Sequence, residues 1–239
     1  MARMPAKHSR NDTTRQHDLV YQTLRARILT GDFPPGKAVT LRGLAASLEA
    51  GFTPVREAVR RLIAERALEM GTTGRVSVPA MNGGKFDEIV FARCCLEPEL
   101  GRLALPHLTS ASIAEIEATN KAMEQARSAG DAETYMRGNF EFHFTLYRMA
   151  GAESLLGLAE SVWLQLGPFM RVAYGRSGTA QLKNQHLNIC QALRARDAAA
   201  LAEHIKADIT YGMRITGELA LDSGSSSAPR TPRKPQKRQ

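Results

Sequence analysis

Residues Gly31–Leu68 read GDFPPGKAVTLRGLAASLEAGFTPVREAVRRLIAERAL, and this stretch decides the fold of the N-terminal part of the chain. Apolar residues recur in it at helical intervals twice, first in 41–48 and then in 55–63. Ala50-Gly51-Phe52 falls between the two segments as a tight turn. The spacing therefore predicts a helix-turn-helix, whose second helix enters the DNA major groove by its N-terminal end.

The second helix is densely basic, and Arg56, Arg60 and Arg61 lie mainly off its apolar face. Thr53 suits the N-cap of this helix, and Pro54 suits its first position, where the missing N–H has no intrahelical partner. Gly51 is the alternative cap. The arginines indicate an element directed at DNA phosphates and bases.

The flanking segments complete a winged helix. A helix is predicted over about Asp18 to Thr30, and Pro34-Pro35-Gly36 predicts a rigid turn after it. Beyond Leu68, the run GTTGR at 71–75 and the alternating Val76-Ser77-Val78 predict a hairpin with a basic tip. The alternative is a plain three-helix packing module with a solvated basic face.

Several separated motifs occur here in order: GDFPPG at 31–36, Leu44-Ala45, TPVREA at 53–58, and Gly74. With them, the segment 18–78 resembles the winged-helix domain of GntR-family transcription regulators. The resemblance and the exposed basic faces assign DNA contacts to Arg42, Thr53, Arg56, Arg60, Gly74 and Arg75. Phe52 departs from the Ser-Arg-Thr-Pro that the family usually carries, and it either contacts a thymine methyl or packs.

The charge is unevenly distributed along the 239 residues. Residues 1–80 hold 13 basic and 7 acidic side chains, residues 81–222 hold 14 and 17, and residues 223–239 hold 5 and none. We predict a disordered basic arm over 1–16, a DNA-binding domain over 17–80, and an all-α domain over 81–222. A disordered basic tail follows over 223–239, either solubilising or a weak non-specific DNA clamp.

The middle of the chain shows helical periodicity and no strand pattern, so the fold class is mainly α. Ser112 with Glu115 predicts a capping box, and Pro168 predicts a kink or a stop. Arg196-Asp197 is predicted to turn into the last helix.

Histidines lie on the inner faces of these predicted helices. His143 follows Asn139 by four residues, and Asp208 follows His204 by four, so each pair shares a helix face. His186 shares an apolar stripe with Ile189. Imidazole and carboxylate groups converging inside a bundle either bind a divalent metal or form buried hydrogen bonds.

The segments RCCLE at 93–97, Phe142-His143, His186 and Arg196-Asp197 resemble the FCD ligand-sensing domain of the FadR subfamily. Many members bind a metal with one Asp and three His. Carried over, these positions fall on Asn139, His143, His186 and Asp208, so only two match the family. The set still suits one divalent ion (Zn²⁺, Ni²⁺ or Mn²⁺), and the alternative is a metal-free polar pocket.

The family also implies a small effector, commonly a carboxylate. An arginine binds a carboxylate through two parallel hydrogen bonds, which makes Arg93 and Arg171 candidates, with Trp163 and His204 beside them. The alternatives are a surface ion pair for each arginine, an i,i+4 pair of Arg93 with Glu97, and a core position for Trp163.

We therefore predict a homodimeric, ligand-responsive regulator of double-stranded operator DNA, and family habit favours a repressor. The less favoured alternatives are a non-specific architectural DNA binder and a metal-dependent hydrolase. The sequence shows no nucleophile elbow or phosphate loop, so no enzyme is expected. Three cysteines without a disulfide pattern, no secretory signal and no membrane-spanning apolar run predict a cytoplasmic protein without membrane contact.

Overall fold

The structure is a computed structural model that describes residues 10–179 and 182–221. The predicted basic tail at 223–239 and residues 1–9 of the predicted basic arm lie outside the described residues. The remainder of that arm, 10–16, belongs to the first helix, which begins at Arg10 rather than near Asp18.

The N-terminal domain is a winged helix-turn-helix, as predicted. Its elements are α1 (Arg10–Leu29), β1 (Val39–Thr40), α2 (Leu41–Ser47), α3 (Phe52–Ala64), β2 (Glu69–Met70) and β3 (Arg75–Ser77). The three strands form one antiparallel sheet in the order β1-β3-β2, with Val39 opposite Val76 and Met70 opposite Val76. Gly74 has φ +73° in the turn between β2 and β3, a backbone conformation that favours glycine.

The recognition helix α3 begins one residue earlier than its predicted cap. Gly51 is the N-cap and makes no side-chain cap hydrogen bond, so the alternative cap is correct and Thr53 is the second helical residue. Pro54 occupies the third position, where its missing N–H again lacks an intrahelical partner. The apolar face of α3 packs against α1 through Leu24, Ile28, Val55, Val59 and Leu62, all fully buried.

The second domain is a helical bundle, and the mainly α fold class is confirmed. Its helices are α4 (Gly83–Ala104), α5 (Ser110–Ala129), α6 (Ala132–Arg148), α7 (Glu153–Ser177), α8 (His186–Ala195) and α9 (Ala198–Thr216). A 3-10 turn (Leu105–His107) follows α4, and a π turn (Gly217–Leu221) follows α9. Helix α4 packs most extensively on α9, and α5 on α6.

Of the helix caps and breaks predicted in the bundle, some are found in the structure and others are not. The capping box of α5 joins Thr109 and Ser112, so the predicted pairing of Ser112 with Glu115 is wrong by one turn. Pro168 lies inside α7 and does not end it. Asp197 caps α9 by accepting hydrogen bonds from the backbone N–H groups of residues 199 and 200, after a left-handed Arg196.

The DNA-binding domain lies against α7. The Arg25 guanidinium is 2.8 Å from the Glu160 carboxylate, and the Ser161 hydroxyl donates to the Glu65 carbonyl at the end of α3. A Cβ placed on Gly167 would lie 2.6 Å from the Leu29 carbonyl oxygen. Glycine at 167 therefore permits the end of α1 to approach α7 closely.

Candidate DNA-binding surface and metal centre

The residues predicted to contact DNA share one property, which is exposure to solvent. They are Arg42 on α2, Phe52, Thr53, Arg56 and Arg60 on α3, and Gly74 and Arg75 on the wing. Phe52 is 46 % exposed at the first position of α3, so it is not a core residue of this domain. The packing alternative for Phe52 therefore does not place it in the core, and its contact with a thymine methyl stays a prediction.

Several arginines of the DNA-binding domain contact other groups of the protein. Glu57 lies 3.6 Å from Arg56 and 3.4 Å from Arg60, both exposed pairs that contribute little stability. On the wing, the Arg75 guanidinium donates to the Ala38 carbonyl at 3.1 Å. Arg61 is turned toward α1, where it pairs with Asp18 and stacks on the Tyr21 ring.

A second cluster of functional groups lies inside the bundle. His143 on α6, His186 on α8 and Asp208 on α9 bring their ligand atoms within 4.8 Å of one another. The Asp208 carboxylate is 3.2 Å from His143 Nε2 and 3.6 Å from His186 Nε2. Three helices, of which α8 and α9 are consecutive, thus place two imidazoles around one carboxylate.

The two imidazole nitrogens that face Asp208 lack hydrogen bonds. His143 Nε2 and His186 Nε2 are buried, and neither has a hydrogen-bond partner among the described residues. Burial, opposed by Asp208, lowers the pKa of His186 to about 4, so this ring is neutral at pH 7 and keeps a lone pair. Burial opposes ionisation of Asp208, but His186, His143 and Arg93 outweigh it and hold its pKa near 2. Two imidazoles and a carboxylate form a set of ligand atoms that fits a divalent cation.

Asn139 lies one turn before His143 and is buried beside the cluster. It lines a cavity of about 20 Å³ together with Tyr174, Met213 and Asp208. That volume holds one water molecule or one ion, and it is too small for a metabolite.

Behind His143 lies a buried network centred on Glu97. The Glu97 carboxylate accepts hydrogen bonds from Arg93, from the Tyr147 hydroxyl at 3.0 Å, and from Trp163 Nε1 at 2.9 Å. Tyr147 in turn lies 3.1 Å from His143 Nδ1. All of these side chains are at most 2 % exposed, so the network is shielded from water.

The four residues predicted to bind the effector are dispersed. Arg93 is occupied by Glu97 and stacks on Trp163, which is buried in the core, so the ion-pair and core alternatives describe these two residues. Arg171 lies against Gly31 where the two domains meet, and it does not line the cavity beside Asp208. His204 is half-buried, outside the histidine cluster.

Tyr147 was not among the residues predicted from the sequence for this site, and Glu97 was predicted only as an alternative to the effector as the partner of Arg93. A signal for Tyr147 was present, since it follows His143 by four residues on one helix face. Nothing in the sequence indicated that Glu97, 50 residues earlier, lies beside it.

Comparison with known proteins matches both domains of this architecture. The family described as bacterial regulatory proteins, gntR family, matches residues 16–78, and the FCD domain matches residues 88–210. The chain belongs to the GntR family and carries an FCD domain. Its family is therefore one of transcription regulators and not of enzymes.

Individual relatives agree with this assignment. The chain is 30 % identical over 182 residues to the HTH-type transcriptional regulator McbR of Escherichia coli K12, covering 74 % of this chain and 82 % of that one. The solved structure of E. coli McbR/YncC superposes with a TM-score of 0.81 at 26 % identity, covering 85 % of this chain and 97 % of that one. A probable D-xylose utilization operon transcriptional repressor of Paenarthrobacter nicotinovorans is 29 % identical over 177 residues, 74 % of this chain and 77 % of that one.

A putative GntR regulator from Rhodococcus sp. RHA1 shares the fold, with a TM-score of 0.69 at 20 % identity over 85 % of this chain and 98 % of that one. Within residues 10–179 and 182–221, no helix combines the length and the apolar character that crossing a bilayer requires.

Proposed function

We propose that this regulator is a homodimeric repressor whose two winged helices bind a two-fold symmetric operator. The observation that carries the proposal is the recognition helix, whose outward face presents Phe52, Thr53, Arg56 and Arg60. Paired half-sites on DNA are the usual counterpart of a symmetric dimer of such domains. The FCD domain is consistent with the FadR subfamily, and we place the protein with its DNA in the cytoplasm.

We further propose domain limits of 17–80 for the DNA-binding unit and 81–222 for the effector-binding and dimerisation unit. The segment between β3 and α4 supports this division, since the gntR-family match ends at residue 78 within it and the FCD match begins at residue 88, in the second turn of α4.

The second domain is proposed to hold one divalent metal. His143, His186 and Asp208 are the ligands, and Asn139 assists from the adjacent turn of α6. Zn²⁺, Ni²⁺ and Mn²⁺ all accept mixed imidazole and carboxylate ligands. A bound ion would supply a positive charge and coordination positions that the protein ligands leave open.

A carboxylate metabolite is the proposed effector, because an anion complements a cation that protein ligands do not saturate. Arg93 is not part of this proposal, since Glu97 already engages its guanidinium. The cavity beside Asp208 holds little more than a water, so effector binding requires the surrounding helices to separate. Such a separation changes the placement of the DNA-binding domains, and operator affinity falls.

The direct test is fluorescence anisotropy with a labelled duplex from the gene's own upstream region, compared with a scrambled duplex at two salt concentrations. We expect tight binding to the upstream duplex alone, with a steep salt dependence. Equal binding to several upstream segments and to the scrambled duplex would favour an architectural DNA-binding protein. Absence of binding to all of them, with and without Zn²⁺, would refute the proposal.

A further inference from the structure

The geometry points to Tyr147 and Glu97 as positioning residues that hold His143 in the tautomer with its proton on Nδ1. This inference rests on the proposed metal site, because it concerns how one of the ligands presents its lone pair. Neither residue contacts the proposed ion. They act through His143, from the side of the ring that faces away from Asp208.

The Glu97 carboxylate only accepts hydrogen bonds. Its Oε1 accepts hydrogen bonds from Arg93 Nε and Trp163 Nε1, and its Oε2 accepts them from Arg93 Nη2 and the Tyr147 hydroxyl. Every group around this carboxylate is a donor. The Arg93 guanidinium fixes the orientation of the carboxylate, since it engages both of its oxygens.

Tyr147 has a single hydroxyl proton, and it is used in the hydrogen bond that Tyr147 donates to Glu97. The hydroxyl oxygen then has only lone pairs to offer to His143 Nδ1, 3.1 Å away, so Nδ1 must be the protonated nitrogen. The reverse arrangement would give the Tyr147 proton to His143 and leave two unprotonated oxygens 3.0 Å apart. In a site closed to water, that contact is strongly unfavourable.

With the proton on Nδ1, the lone pair of His143 is on Nε2, which points at Asp208. This is the orientation that a metal ligand requires, and a bound cation would relieve the repulsion between that lone pair and the Asp208 carboxylate 3.2 Å away. Outer partners of this kind fix the tautomer and the ring orientation of ligating histidines, and their loss costs about 10- to 100-fold in metal affinity.

The test uses the full chain labelled with ¹⁵N-histidine and freed of metal by dialysis against EDTA. Two-bond ¹H–¹⁵N correlation spectra report which ring nitrogen carries the proton, and His143→Gln identifies the resonances of His143. We expect the metal-free protein to show His143 protonated on Nδ1. In Tyr147→Phe we expect the other tautomer or a mixture, and Zn²⁺ affinity reduced about 10- to 100-fold in competition with a chelator.

Tyr21→Phe is the matched control, because its hydroxyl also donates to a carboxylate, that of Glu65, but in the DNA-binding domain. It should leave the His143 resonances and Zn²⁺ affinity unchanged. A metal-free spectrum with the proton on Nε2 would overturn the inference, and this result does not depend on any variant folding. So would a folded Tyr147→Phe protein with unaltered tautomer and affinity. Nδ1 protonation without Zn²⁺ binding would support the positioning and refute the metal site instead.

Discussion

Asp208 is the residue on which the proposed metal centre depends most. Its carboxylate lies within 3.6 Å of both proposed ligand imidazoles, and it is the acidic side chain of the proposed ligand set. By resemblance, the family carries a histidine at this position. A carboxylate there preserves a donor but changes the charge of the site by one unit.

Asp208→Asn should abolish tight Zn²⁺ binding, because the amide keeps the shape of the side chain but loses its charge. We expect a loss in affinity at least as large as the roughly 10- to 100-fold caused by losing an outer partner. Isothermal titration calorimetry measures it. Glu203→Gln removes the same charge from an exposed position of α9 and should bind Zn²⁺ like the unaltered protein. Equal affinity in both variants would show that Asp208 is not a ligand.

Phe52 offers a comparable test on the DNA-binding surface. Replacing it with alanine should weaken binding to a duplex selected from a random library by about fourfold, since one thymine methyl contact contributes about 0.8 kcal/mol. The slope of affinity against salt should stay the same, because no phosphate contact is lost. Arg60→Ala should lower that slope by about one.

Deoxyuridine in place of each thymine, one at a time, identifies the contact by anisotropy. At one position the substitution should weaken binding of the unaltered protein and leave Phe52→Ala unaffected. If no thymine behaves in this way, Phe52 has another role in the protein.

At the scale of elements, α7 takes part in two contacts, one with the buried network around Glu97 and one with the DNA-binding domain. Trp163 donates to Glu97 in the buried network, while Glu160 and Ser161, the turn before it, contact the DNA-binding domain. Gly167 follows one turn later, under the carbonyls that end α1. A single helix thus contacts both the buried network behind the proposed metal site and the DNA-binding domain.

Gly167→Ala tests this close approach. Its Cβ would lie 2.6 Å and 2.9 Å from the carbonyl oxygens of Leu29 and Ile28, so the end of α1 must shift. We expect a loss of about 1–3 kcal/mol in the free energy of unfolding, measured with urea. Gly157→Ala lies on the same helix in open space and should gain up to about 1 kcal/mol from helix propensity. Similar gains in both would show that the two helices do not pack closely.

For the whole molecule, the contact between domains is the route by which the proposed effector signal would pass from the bundle to the DNA. The pair Arg25–Glu160 spans this contact, with side chains 13 % and 27 % exposed. An ion pair shielded to this degree is less weakened by water than one on the open surface.

A double-mutant cycle of Arg25→Met and Glu160→Gln should yield a coupling energy of about 0.5–1 kcal/mol in urea unfolding, falling with added salt. The pair Arg214–Glu218 has a similar N–O distance, 3.0 Å, at the end of α9 and in the π turn after it, with side chains 59 % and 60 % exposed, and it should couple less. Equal coupling in the two pairs would indicate that the domains separate readily in solution.

The sequence was most informative where structure is local. The helix-turn-helix and the wing follow from spacing within about 60 residues, and glycines such as Gly74 mark turns that other residues rarely adopt. It was less informative about helix ends, where Thr53 and Gly51 compete as caps and Ser112 pairs with Thr109. Competing caps differ by small free energies, so neighbouring contacts decide between them.

What the sequence by itself determined is the fold class, the family and the exposed basic face of α3, because periodicity and turn chemistry act between near neighbours. Only the tertiary structure decided that His143, His186 and Asp208 meet, that Glu97 rather than an effector holds Arg93, and that Arg171 lies between the domains. These contacts join residues on different helices, apart from the Arg93–Glu97 pair within α4. Their distances are set by how whole helices pack, a property that no local stretch of sequence contains.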